Sequence, residues 1–218
     1  MSGDCVGLVP AAGAGRRLGR GPKAFVEVAG TPLLAYAVRT LAAVCDDVIV
    51  AVPADAVPAA RALVPAARVV AGAATRQGTV AALLAQADAP YVVVHDAARP
   101  LTPTDVLHRA LDAARADGAA TAALPVADTL HDVERDAPVA RDALRAIQTP
   151  QAFDADLLRR AHGAADGAEV TDDAALVRAL PHPVTLVDGS PWSHKVTHAA
   201  DLAFVGALAR ALDGAPPA

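Results

Sequence analysis

The sequence predicts an α/β fold, because short Val-rich runs alternate with longer Ala- and Leu-rich segments of helical spacing. That is the order expected of parallel strands joined by crossover helices. At 218 residues the chain can bury one large core. No internal repeat or Ser/Gly linker divides it, so a single domain is expected. Hydrophobic residues make up 54% of the chain and aromatics only 3%. The core must therefore be built from Val, Leu and Ala, which suit close packing of helices on a mostly parallel sheet.

The first strand is expected in "CVGLVPA" (residues 5–11) and its helix in "TPLLAYAVRTLAAV" (31–44), with Thr31 as N-cap and Pro32 at the first helical position. "DVIVAV" and "ARVVAG" read as the second and third strands. Thr75 can cap the helix "RQGTVAALLAQA" that leads to the apolar strand "YVVVHD" (91–96). A helix opening on Thr-Pro at 102–103 is expected to stop at Gly118, before the strand "AATAALPV". Residues 128–150 break this rhythm. They are polar, mixed in charge and without amphipathic period, and read as a projecting hairpin arm. Helices in 154–165 and 171–180, a strand in 183–189 and a helix from about 199 to 212 complete the chain, and "DGAPPA" reads as a frayed tail.

Lys and Arg number 19 against 24 Asp and Glu, a net charge of -5. This argues against a surface built for nucleic acid or an anionic membrane, so any anion must be met by a local cluster. Cys5 and Cys45 have no ligand spacing and read as free buried thiols of a reducing cytoplasm. No leader or membrane span is visible, and a cytoplasmic protein is expected. The seven histidines are expected at the surface or in supporting roles rather than as metal ligands.

The chemistry concentrates in "VPAAGAGRRLGRGPKAFVEVAGTPLL", residues 9–34. A strand running into "PAAGAG" turns sharply at Gly13 and Gly15 and presents backbone N–H groups to an anion. Arg16, Arg17 and Lys23 add cationic donors suited to a triphosphate. There is no GK[ST], and the glycines at 13, 15 and 19 are spaced GxGxxxG rather than GxGxxG. The second strand also lacks the terminal acid of a dinucleotide site, which disfavours an oxidoreductase.

Asp96 ends a strand that reads as buried, where its carboxylate either serves a Mg-phosphate site at the sheet's carboxyl edge or caps a turn and pairs with Arg99. Gly72, Arg76 and Thr79 lie on the loop and helix that follow the third strand. Thr171 and Asp172 form a helix-capping pair that can also offer a hydroxyl to substrate. Lys195, Thr129 and Arg141 read in isolation as surface residues.

Four stretches together carry a resemblance over nearly the whole chain: the loop just quoted, "VVVHDAARPL", "VTDDAALV" and "HKVTHAADLAFV". They resemble the sugar-nucleotide cytidylyltransferases, specifically the 2-C-methyl-D-erythritol 4-phosphate cytidylyltransferase family of the non-mevalonate isoprenoid pathway. The resemblance implies a single-domain, Rossmann-like nucleotidyltransferase (GT-A-like) fold with a projecting β-arm. It implies transfer of CMP from CTP to methylerythritol phosphate with Mg²⁺, by a homodimer whose arms cross between subunits. Arg17, Lys23 and Lys195 then carry the catalytic charge. Pro10, Ala11, Ala12, Gly13, Gly15, Gly72, Arg76, Thr79 and Asp96 hold the nucleotide, with Asp96 also facing the metal. Arg99, Thr129, Arg141, Thr171 and Asp172 bind the acceptor. Ribitol 5-phosphate as acceptor, or a nucleotide-binding regulator without turnover, are the alternative functions.

Overall fold

The computed structural model describes residues 3–13, 15, 21–165 and 170–213. Strand β1 (Cys5–Pro10) is followed by a two-residue ladder of β2 (Glu27–Val28) with β3 (Thr31–Pro32), helix α1 (Leu33–Ala42), and β4 (Asp47–Val52). Next come α2 (Val57–Leu63), β5 (Arg68–Ala71), α3 (Arg76–Leu84), β6 (Tyr91–Val94), α4 (Thr104–Asp117) and β7 (Ala119–Pro125). A hairpin of β8 (Leu130–Asp132) and β9 (Ala137–Val139) leads to the long β10 (Arg145–Asp154). Then follow α5 (Ala155–Gly163), α6 (Asp173–Arg178), β11 (Thr185–Asp188) and α7 (Ala199–Asp213).

Seven strands form one sheet in the order β11-β7-β10-β6-β1-β4-β5. All neighbours are parallel except β10, which runs antiparallel to both β6 and β7. Alternation along each strand divides the core in two, as a period of two requires. Cys5 and Val9 of β1 and Val48, Val50 and Val52 of β4 pack with Leu34, Ala37 and Leu41 of α1 and Leu107, Ala110 and Leu111 of α4. On the other face Val6, Leu8, Ile49, Val92 and Val94 meet Val80 and Leu83 of α3, Leu157 and Leu158 of α5 and Val177 of α6. A small third cluster joins Val26, Val28 and Tyr36 to Val196, Val205 and Ala209, seating α7 beside the β2/β3 ladder. Each fully buried Val or Leu contributes about 1.5–3 kcal/mol over its exposed state, so small side chains suffice once both faces are covered.

Most elements form where the hydrophobic period puts them, and the differences have local causes. Thr31 does not cap α1. It pairs with Val28, and Leu33 N–H donates to Val26 O at 3.0 Å, so the main chain already satisfies this end of the helix. Thr75 does cap α3, its side chain accepting from Gly78 N–H at 3.0 Å. Gly118 ends α4 at φ +83°, the left-handed conformation a helix stop favours. Helix α2 is not apparent in the sequence because Pro53 and Pro58 punctuate it. Pro58, however, stands in the first helical turn, where a missing N–H costs nothing. Within residues 128–150 the hairpin is confined to Leu130–Val139, and Arg145 onward belongs to the central sheet.

Candidate active site

Three chain segments leave the carboxyl ends of β1, β5 and β6 and converge on one cleft of about 640 Å³, a size that suits a small-molecule ligand. The chain passes from β1 to β4 and β5 on one side, then returns to β6 on the other. The cleft therefore opens at the point where the strand order reverses, the usual ligand position of an open α/β sheet.

Main-chain ladders continue past the strands to fix the walls. Ala11 N–H donates to Ala51 O at 2.7 Å and Gly72 N–H to Val52 O at 2.8 Å. Two glycines are required sterically. At Gly15 φ is +64° and a Cβ would stand 2.4 Å from Gly21 O, so Gly15 can lie against Gly21 and Lys23 only without a side chain. At Gly72 a Cβ would meet that of Ala12 at 2.4 Å, and glycine is what lets the two walls of the cleft approach. Thr79 is buried, and its hydroxyl braces the same loop, donating to Thr75 O at 2.8 Å and accepting from Ala73 N–H at 3.1 Å.

Asp96 lies at the centre of the charges. Its Oδ2 accepts from Lys195 Nζ at 2.6 Å, and its Oδ1 is 3.6 Å from Arg76 Nη2. Burial pushes this carboxyl up, but the Lys195 ammonium and the Arg76 guanidinium outweigh it and hold it well below the usual carboxylate range. Arg76 also donates to Asp173 at 2.8 Å. Lys195 reaches the cleft because Val196 N–H donates to Ala98 O at 2.8 Å, tying its segment to the strand end that carries Asp96. Lys23, half-buried, lines the same cleft.

Beneath the cleft, Asp96 N–H donates to Thr149 Oγ1 at 3.1 Å. The Thr149 hydroxyl is 3.2 Å from His95 Nδ1, and His95 Nε2 is 3.3 Å from Arg99 O. One assignment satisfies every group: Thr149 donates to Nδ1, and Nε2–H donates to the carbonyl. Burial pushes the His95 ring down to about 4, against the pull of Asp96. The unfolded chain thus binds a proton at this residue between pH 6.5 and 4 that the folded chain does not. Its contribution to stability is present above pH 6.5 and lost as pH falls toward 4. Urea denaturation at pH 7 and pH 5 is expected to show about 2 kcal/mol of acid destabilisation from this group. His95→Gln removes that part of the difference, and an unchanged pH dependence in the variant would show that His95 is not its source.

Arg99 does not pair with Asp96. Its guanidinium donates to Ser193 O at 2.6 Å and lies in a buried setting that pushes its pKa down, the Asp96 charge opposing. His194 and His198 stand four apart in "HKVTH", but His194 Nε2 is 3.0 Å from Asp201 Oδ1 and both residues precede α7. Among the described residues no group of three metal-ligating side chains occurs.

The match to the family model for 2-C-methyl-D-erythritol 4-phosphate cytidylyltransferase (IspD) extends over residues 5–211. The chain is 50% identical over 213 residues to the 2-C-methyl-D-erythritol 4-phosphate cytidylyltransferase of Deinococcus radiodurans, covering 95% of this chain and 90% of that one. It is also 50% identical over 218 residues to that of Nocardia farcinica, covering 94% of each. The crystal structure of the Thermus thermophilus enzyme superposes with a TM-score of 0.85 at 43% identity, covering 96% of this chain and all of that one (100%). The chain belongs to the 2-C-methyl-D-erythritol 4-phosphate cytidylyltransferase family.

Of the residues that the family resemblance marks, the fold gathers Pro10, Ala11, Ala12, Gly13, Gly15, Lys23, Arg76, Thr79, Asp96 and Lys195 around the cleft, with Gly72 behind Ala12. Arg17 lies outside the described residues. Arg99, Thr129, Arg141, Thr171 and Asp172 do not line the cleft. Thr129 and Arg141 are exposed on the segment around the hairpin, where Arg141 donates to Ala127 O. Thr171 is exposed, and Asp172 caps α6 by accepting from Ala175 N–H at 2.8 Å. Sequence reasoning missed Thr149, which holds the backbone of Asp96, and Asp173, which holds Arg76. The doubled acid in "TDDA" was the available signal for the second, and nothing in "QTPQ" singles out the first. No described helix is long and apolar enough to cross a membrane.

Proposed function

We propose that this chain transfers CMP from CTP to 2-C-methyl-D-erythritol 4-phosphate, releasing pyrophosphate, in isoprenoid precursor biosynthesis. The observation that carries the reading is the convergence of Lys23, Arg76 and Lys195 with Asp96 at the reversal point of the sheet, in a chain of this family. A phosphate oxygen of the acceptor attacks the α-phosphorus of CTP, forming the new P–O bond as the bond to the pyrophosphate oxygen breaks in line. The acceptor phosphate is already ionised at neutral pH, so no general base is needed. What remains is to hold two polyanions together and stabilise charge on the equatorial and leaving oxygens, a task for cations rather than for a nucleophile. Lys23 and Lys195 serve it from the lining of the cleft, and Arg17 is assigned to the same task from its place in the loop sequence.

The base is assigned to the part of the cleft lined by Ala12 and Thr79, with Gly72 behind Ala12. The Thr79 hydrogen is taken by main-chain carbonyls, Thr75 O at 2.8 Å and Ala73 O at 3.2 Å, and one lone pair accepts from Ala73 N–H, so the hydroxyl can only accept further. A 4-amino group, which donates, suits that position, and a carbonyl does not, so CTP is preferred over UTP. Asp96 is the carboxylate among the described lining residues. One carboxylate facing substrate phosphates is a donor set Mg²⁺ commonly takes. Bound there, Mg²⁺ would neutralise phosphate charge while Asp96 and the nucleotide phosphates hold it.

The acceptor half is proposed to come from Arg99, Thr171 and Asp172 together with Thr129 and Arg141 of a second copy, since the last two stand away from their own cleft. A homodimer built through the hairpin follows from that reading. Two free buried thiols, Cys5 and Cys45, suit work in a reducing cytoplasm.

The test is pyrophosphate release from purified protein with Mg²⁺, CTP and methylerythritol phosphate, run beside UTP, ATP and ribitol 5-phosphate. Release with CTP and methylerythritol phosphate alone is the expected result. Release with ribitol 5-phosphate instead overturns the acceptor, and silence with every acceptor overturns turnover itself.

A further inference from the structure

Asp173 is the most deeply buried acid among the described residues, 1% exposed, and it does not line the cleft. The helix it begins does not explain it. Asp172 caps α6, and Ala174 N–H is taken by Gln151 Oε1 at 3.1 Å. The Asp173 carboxylate turns instead toward α3, where its Oδ2 accepts from Arg76 Nη1 at 2.8 Å. Its other oxygen is 3.3 Å from His162 Nε2 but outside hydrogen-bond geometry, and among the described residues neither atom has a hydrogen-bond partner. Burying a carboxylate with one oxygen unsatisfied costs stability, so its presence calls for a role beyond packing.

Arg76 supplies that role. It is the first residue of α3, where the helix dipole disfavours a cation, and its long side chain is free to turn unless something holds it. Asp173 grips one guanidinium nitrogen from behind while the other faces Asp96 across 3.6 Å. The bracket leaves the Arg76 side chain, 31% exposed, on the lining of the cleft, and the guanidinium carries more N–H groups than the two carboxylates use.

We infer that Asp173 is a positioning residue for the nucleotide site, fixing Arg76 so that its remaining donors meet the phosphates of the incoming nucleoside triphosphate. The inference rests on the cleft being the CTP site. Asp173 touches neither substrate nor reacting atoms and acts through Arg76 alone.

The experiment is a double-mutant cycle on the full chain, read by calorimetric affinity for CTP with Mg²⁺ and by KM for CTP and for the acceptor. Asp173→Asn is expected to weaken CTP binding about tenfold or more, the loss of a charge-assisted hydrogen bond, and to raise KM for CTP while leaving KM for the acceptor unchanged. Arg76→Gln is expected to weaken it as much or more. The double variant is expected to bind CTP as Arg76→Gln alone does, because the second change removes a support whose object is already gone. Unchanged CTP affinity in Asp173→Asn overturns the inference, as does a double variant whose loss is the product of the two singles. If Asp173→Asn does not fold, the double variant, which strands no partner charge at that bridge, is compared directly with Arg76→Gln. Equality supports the inference and a further loss overturns it. Failure of the unsubstituted chain to bind CTP is seen before any variant is compared and overturns the reading of the cleft itself.

Discussion

Lys23→Ala is expected to lose about a hundred to a thousandfold in turnover, the usual consequence of deleting one donor to transition-state charge, while the fold is kept. The reason to expect an intact fold is that the anchors of this segment are Lys23's neighbours. Ala24 is 3% exposed and Val26 7%, and Val26 N–H donates to Lys23 O, a main-chain bond that alanine preserves. The Lys23 side chain is half-buried and lines the cleft, so truncation opens space there rather than in the core. Steady-state pyrophosphate release, alongside a thermal melt, decides the matter. A well-folded variant with near-normal turnover would remove Lys23 from the reaction.

Asp96→Asn is expected to cost a similar factor, about a hundredfold or more, by a different route. The substitution is isosteric and leaves the Asp96 N–H bond to Thr149 untouched, so the strand end stays in place. What disappears is the charge that compensates Lys195 at 2.6 Å and Arg76 at 3.6 Å. An amide oxygen is a poor substitute for a carboxylate both to those cations and to a divalent ion. The variant is expected to need markedly more Mg²⁺ for half-maximal rate. Turnover and Mg²⁺ dependence that match the unsubstituted enzyme would show that Asp96 neither holds the metal nor sets the cations.

Much of this was legible in the sequence because the signals were local. Strands β1, β4 and β6 are apolar runs buried on both faces, and α3, α4 and α6 carry the caps or stops their residues suggest. Strand β10 was not legible. Its Gln148, Thr149 and Gln151 are polar and Pro150 stands in mid-strand, features that read as loop. Only the fold reveals that these polar groups are buried and bonded, Gln148 to Ser190 and Gln151 to Thr121 and Ala174. The nucleotide side of the cleft follows short motifs at strand ends and was legible for the same reason. The doubled acid in "TDDA" is visible locally, but its pairing with Arg76 spans 97 residues, and nothing local names that partner.

The antiparallel course of β10 has an architectural consequence. Gln151 pairs with Val94 at the last residue of β6, so Arg145 to Pro150 run on beyond the ligand-binding edge of the sheet, supported there by β7. A register shift between Ile147 and Gln151 takes up part of this length: Arg145 to Gln151 lie opposite Pro125 to Thr121, so the outreach is about 13 Å, with the β8/β9 hairpin at its tip. That length is adjustable in discrete steps. Inserting two residues in each of β7 and β10 would lengthen the reach by about 7 Å and keep every side chain on its own face, whereas a single insertion would turn the ribbon inside out. Evolution or an engineer can therefore retune how far the hairpin extends without disturbing the core or the cleft below it.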